Sequence, residues 1–243
     1  MRISEKAKAV RNILIKTDIS PGELFASYGD KKFIDGFSKF ESMKQVLTGN
    51  PSKCVVDYLE NRLSESQYSF MRDKRSASEY GFDILLGWIL EDCLIEFLVR
   101  SGIGAVLAGC DSSREFLRRA DVSTNSDAEV MFGGVSRKLE LVFDQSEYWR
   151  RNNRADFRSS KFEKIIKSQS LVLGVSVKDA TCFVYEAASP LSPKATYVES
   201  HPPWGGKSAY SIFNMRDILM PLDKISEVMK NTLSSLKRGE VVD

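Results

Sequence analysis

The chain has 243 residues, 42% hydrophobic and 28% charged, with 35 Lys and Arg against 33 Asp and Glu. These are the proportions of an ordinary globular protein, long enough for one large domain or a domain with a sizeable appendage. A net charge of +2 excludes a uniformly basic nucleic-acid binder, so any such surface has to come from local clustering.

The N-terminus, MRISEKAKAVRN, is charged and lacks the apolar core of a signal peptide, so the chain is expected in the cytoplasm. A first helix is predicted from Ser4, a candidate cap, to about residue 17. Ser20-Pro21-Gly22-Glu23 supplies a cap and a proline at the first helical position and opens another. Phe33, Ile34, Phe37, Phe40, Met43, Val46 and Leu47 fall at helical spacing before Gly49-Asn50-Pro51. Phe33, Phe37 and Phe40 read as core or dimer surface. A further helix is expected over 52–64, with Val55, Val56, Leu59 and Leu63 as its apolar face, and 64–78 reads as a polar loop.

A long helix follows over 79–100, lined by Phe82, Leu85, Leu86, Ile89, Cys93, Leu94 and Phe97 and ended by Ser101-Gly102. Asp83, Glu91, Asp92 and Glu96 interrupt its apolar run, which rules out a membrane span. Strands are predicted over 105–109, 130–132 and 138–143, a helix over 157–168, and a hairpin of 171–177 and 181–187. A loop rich in Pro, Ser and Gly covers 189–207, then a short strand over 209–213 and a closing helix over 221–237. No internal repeat is visible. The order predicts an α/β (α+β) layered domain, with a helical N-terminal part over 1–78 and a core over 79–243.

Cys54, Cys93, Cys110 and Cys182 form no C-x-x-C pair, so neither zinc nor a disulfide framework is supported, and they read as small buried hydrophobes. The single histidine, His201, argues against zinc hydrolases and HNH-type centres, which need several. Chemistry therefore falls to carboxylates. Asp127 enters one short apolar run and Glu140 is central to the next, Leu139-Glu140-Leu141-Val142-Phe143, across a Gly133-Gly134 turn. Carboxylates on adjacent strands facing one side can hold Mg²⁺, which takes oxygen ligands and few protein groups. The backbone carbonyl of Leu141 is a third candidate ligand. The plain alternative is a pair of unrelated surface acids.

Tyr148, Trp149, Arg150, Arg151, Asn152, Asn153, Arg154 and Arg158 follow at once. Arginine suits phosphate or guanine and asparagine suits adenine, so Arg150, Arg151, Asn152, Asn153, Arg154 and Arg158 are candidate DNA contacts. A charged helix end is the bland alternative. Arg114, Arg118 and Arg119, and Arg72, Lys74 and Arg75, are further basic clusters. His201-Pro202-Pro203-Trp204-Gly205-Gly206-Lys207 reads as a DNA-reaching or rigid connecting loop.

Over 79–187 this order of elements and acids resembles the PD-(D/E)xK nuclease superfamily, the fold of many restriction enzymes. The resemblance implies a restriction-endonuclease-like core of a mixed sheet flanked by helices. It implies Mg²⁺ at Asp127, Glu140 and Leu141, with Glu91 of the preceding helix in an outer position. The family's proline before the first acid is Ser126 here, and its lysine two residues after the second acid is Val142. That fold sometimes supplies the lysine from a neighbouring helix. Lys161 is then the candidate, with Lys138 second, to position water and stabilise charge on phosphate. The function implied is a Mg²⁺-dependent endonuclease of double-stranded DNA, most like a type II restriction enzyme. It would act as a homodimer on a palindromic site, with neither membrane nor zinc as partner. A repair or junction-resolving nuclease and a non-catalytic DNA-binding relative are the alternatives.

Overall fold

The computed structural model describes residues 2–26, 32–34, 37–65, 75–109, 114, 116, 126–187, 192–202 and 205–239, with backbone alone for 32–34, 37–40, 64–65 and 238–239. Cys110, Arg72, Lys74, Arg118, Arg119, Pro203 and Trp204 lie outside the described residues, as do the side chains of Phe33, Phe37 and Phe40. The chain forms two compact units, 1–97 with 107–125 and 98–106 with 126–243. The boundary expected at residue 78 is therefore drawn later, in the last turn of the long helix.

The first unit is built from α1 (Ile3–Lys16), α2 (Pro21–Ala26), β1 (Lys32–Ile34), β2 (Phe37–Ser38), α3 (Lys39–Thr48), α4 (Lys53–Glu65) and most of α5 (Ala77–Arg100). Reciprocal caps start two of these helices. Ser20 and Glu23 bond each other's backbone ahead of α2, and Ser76 and Glu79 do the same ahead of α5. Ala7, Val10, Ile13 and Leu14 of α1 are buried, at the spacing that makes one helix face. The helix expected from Phe33 onward begins only at Lys39, because 32–34 and 37–38 pair as an antiparallel hairpin.

The second unit contains β3 (Gly104–Leu107), β4 (Ala128–Phe132), β5 (Val135–Asp144), α6 (Tyr148–Asn152), β6 (Arg154–Arg158), α7 (Ser159–Lys167), β7 (Leu171–Ser176) and β8 (Thr181–Tyr185). It continues with β9 (Ala195–His201), β10 (Lys207–Phe213), α8 (Met215–Ile218), β11 (Met220–Pro221) and α9 (Ile225–Gly239). A six-stranded sheet runs β11-β8-β7-β5-β4-β3, and a three-stranded sheet runs β6-β10-β9. The larger sheet is mixed: β5 and β7 are parallel, whereas β4–β5 and β7–β8 are antiparallel. A parallel pair needs a crossover, and α6, β6 and α7 supply it.

All six residues of β7 are buried, as expected of a central parallel strand whose sequence is a continuous apolar run. Gly174 leaves room there for the Phe183 ring, whose Cζ would lie 2.5 Å from an added Cβ. α9 packs on β4, β5 and β8, with Ile225, Met229 and Leu233 buried at four-residue intervals. A second buried cluster joins Phe162 and Ile165 of α7, Ala155 and Phe157 of β6, Ile212 of β10, and Val172, Phe183 and Tyr185 of the large sheet. The helix expected over 157–168 starts at Ser159, because Phe157 and Arg158 complete a strand paired to Tyr210 and Ala209. The loop expected over 189–207 contains β9, a strand whose alternation is almost wholly polar. No helix among the described residues is long and apolar enough to cross a membrane.

Candidate active site

The β4–β5 hairpin pairs Ala128 with Leu139. Asp127 directly precedes β4, and Glu140 follows Leu139 on β5. Asp127 Oδ2 accepts the Leu141 N–H at 2.8 Å. A strand residue's N–H and C=O point to the same edge, so the Leu141 carbonyl also points towards Asp127.

Glu140 is buried, an unusual place for a carboxylate without a partner. Its Oε2 lies 3.1 Å from Lys161 Nζ, on the first turn of α7. Val142 explains why the lysine comes from there. It lies on the same face as Glu140 two residues on, and it packs against the cluster that holds Phe162 and Ile165. Lys161 directly precedes Phe162, a member of that cluster. Lys138, the other candidate, is exposed and makes no ion pair among the described residues.

Asp127 and Glu140 fit a hard divalent cation. Mg²⁺ is usually held by one or two carboxylates, with waters and substrate phosphate filling its octahedron. Asp127 Oδ1 and Glu140 Oε1 accept no hydrogen bond from the described residues, so an oxygen of each is available. Among the described residues no group of three or more His, Cys, Asp or Glu is placed to hold a metal ion. Glu91 belongs to the first unit, where its Oε2 lies 2.5 Å from Arg114 Nη1. Arg114 is itself buried between Glu91 and Asp92, so it is an internal ion-pair partner and not the surface cation read from sequence. Burial disfavours its charge, but the two carboxylates outweigh burial and raise its pKa further.

The basic cluster divides. Arg150 Nε is 3.3 Å from Asp179 Oδ2, and Arg151 Nη2 donates to the Ser146 carbonyl at 2.6 Å. Asn152 Nδ2 donates to the Tyr148 carbonyl, and Asn153 Oδ1 accepts the Arg216 N–H. These four side chains hold α6 and its exit turn together. Arg154 and Arg158 instead stand at the two ends of β6, four residues apart on one face, and Arg158 directly precedes the helix that carries Lys161.

Between those arginines lies a hub the sequence did not reveal. Asp156 accepts Tyr148 Oη at 2.5 Å, Ser211 Oγ at 2.6 Å and His201 Nε2 at 2.9 Å, with Arg154 Nε at 3.1 Å. Burial works against its charge, yet the three hydrogen bonds and the guanidinium together hold its carboxyl below the usual range. Burial pushes the Tyr148 phenol up, reinforced by its bond to Asp156. His201 is thus an oriented, buried histidine and not a loop tip reaching outwards.

No protein-family model matches the chain, and no curated protein matches it.

Proposed function

We propose that this chain is a Mg²⁺-dependent endonuclease that hydrolyses phosphodiester bonds of double-stranded DNA in the cytoplasm, on the PD-(D/E)xK plan and most like a type II restriction enzyme. The observation that carries the reading is the Lys161–Glu140 contact beside the Asp127–Leu141 contact. It supplies the cation that the sequence lacks at Val142.

Asp127, Glu140 and the Leu141 carbonyl would hold the metal. When bound, Mg²⁺ supplies a Lewis acid for the scissile phosphate and lowers the pKa of coordinated water. Lys161 places a second positive charge at the same point, where it orients the attacking water and neutralises charge building on the phosphate oxygens. Packing of Val142, Phe162 and Ile165 fixes α7 on the sheet, so Lys161 is positioned before substrate arrives. A homodimer on a palindromic site would cut both strands.

The test is digestion of phage DNA with Mg²⁺, followed by run-off sequencing of the ends. Discrete fragments with a common end sequence support a restriction enzyme. Structure-selective nicking points to a repair or junction-resolving nuclease. Salt-sensitive binding without cleavage in Mg²⁺ or Mn²⁺ points to a non-catalytic relative.

A further inference from the structure

The small sheet presents two faces of opposite character. Ala155 and Phe157 of β6, with Ile212 and Tyr210 opposite them on β10, point into the core. Arg154, Asp156 and Arg158 alternate with them and point the other way. On that second face Phe213 is paired with Arg154 and remains 43% exposed.

The two arginines differ in how they are held. Arg158 is exposed and its guanidinium meets no acceptor among the described residues. Arg154 is fixed. Its Nε and Nη2 donate to Tyr148 Oη at 3.1 and 3.0 Å, and Nε also faces Asp156 at 3.1 Å. Nη2 lies 3.4 Å from His201 Nε2. That leaves Nη1 with no acceptor among the described residues, on a side chain 32% exposed. Asp156 pairs with Arg154 and offsets part of its charge. Its side chain is 3% exposed and is enclosed by Ser211, Tyr148, His201 and Arg154.

We propose that Arg154 and Arg158 form a two-phosphate clamp for one strand of the nucleic-acid substrate, and that Asp156 is its positioning residue. This rests on the DNA-cleaving reading above and extends it. Arg154 and Arg158 stand four strand residues apart, about 13 Å, which matches about four nucleotide rises of about 3.4 Å along one DNA strand. A guanidinium held in one orientation loses less freedom when it binds a phosphate than a free one does. Tyr148 and Asp156 keep the Arg154 fork in place, and Asp156 in turn holds Tyr148 and His201. Arg158 lies next to α7, so the clamp leads along the backbone towards Lys161 and Glu140. The contacts are to phosphates, so they give affinity and register without reading sequence.

The experiment is the salt dependence of duplex DNA binding by the full chain in EDTA, where cleavage cannot intervene. Thermal unfolding of each variant controls for folding. Arg154→Ala and Arg158→Ala should each reduce the slope of log K against log salt by about 0.9, and together by about 1.8, equally for unrelated sequences. Asp156→Asn should weaken binding in the parent and add nothing in the Arg154→Ala background. Unchanged slopes in both arginine variants, or a parent with no salt-dependent binding, overturn the clamp. Equal weakening by Asp156→Asn in both backgrounds overturns the positioning role. A parent that binds with the full slope but never cuts overturns the endonuclease reading and leaves the clamp standing. A parent that cuts while the arginine variants bind unchanged does the reverse.

Discussion

Lys161 Nζ stands 3.1 Å from Glu140 Oε2, joining a half-exposed helix residue to a buried strand carboxylate. Such a pair adds little to stability, because holding a flexible lysine offsets most of the Coulomb gain, and about 0–1 kcal/mol is typical of exposed pairs. Its value lies in geometry. Phe162 and Ile165 of α7 are buried in the core, and Lys161 lies one residue before Phe162.

Lys161→Ala should therefore cut Mg²⁺-dependent cleavage by about 10²–10³-fold, the usual loss for one charge-stabilising donor. The melting temperature should move little. Lys138→Ala should leave the rate within a few-fold, because Lys138 makes no ion pair with Glu140. Single-turnover rates for both variants check this, and a larger loss at Lys138 would reassign the cation.

The packing of β7 against β8 makes a separate prediction. Gly174→Ala would drive a methyl into the Phe183 ring, in a cluster shared with Trp149 and Phe162. Overpacking of this kind costs about 1–3 kcal/mol. Urea unfolding should show a lower midpoint with an unchanged slope.

Asp156 sets a pH dependence. Its folded pKa is lowered, so the stability it contributes is fully present above the unfolded carboxylate value, about pH 4, and is lost as pH falls through the folded value. Parent and Asp156→Asn should thus differ most in melting temperature near neutrality. The gap should close as the medium is acidified below about pH 4. A gap constant across that range would show that the carboxylate's charge is not what the hub stabilises.

Cysteine reactivity should separate by burial. Burial, with a smaller effect of Asp223, pushes the Cys182 thiol up to about 12, and Cys93 is fully buried, whereas Cys54 is exposed. Native-state maleimide labelling read site by site in the mass spectrometer should modify Cys54 quickly. Cys182 and Cys93 should be modified only on unfolding.

Much of this was legible because some signals are local. The cap at Ser20 announces its helix, and the apolar runs either side of Gly133-Gly134 announce the β4–β5 hairpin. β9 escaped notice because ATYVESH lies at a sheet edge with no apolar face to betray it. Only Phe157 and Arg158 of β6 fall in the helix expected over 157–168, and Arg154, Asp156 and Arg158 mask the inward pair of Ala155 and Phe157. Arg150, Arg151, Asn152 and Asn153 make contacts within the protein that composition does not foretell. Asp156 carried no signal at all. Its partner Ser211 lies 55 residues away, and only the pairing of β6 with β10 brings them together.

The central claim is that Asp127 and Glu140 hold the metal for phosphodiester cleavage. Its most direct test is Mg²⁺-dependent cutting of linear duplex DNA by the parent, Asp127→Ala and Glu140→Ala, each shown to be folded. The account predicts discrete fragments from the parent and a loss of at least about 10²-fold in each variant. Parent-like cutting by both variants would contradict it.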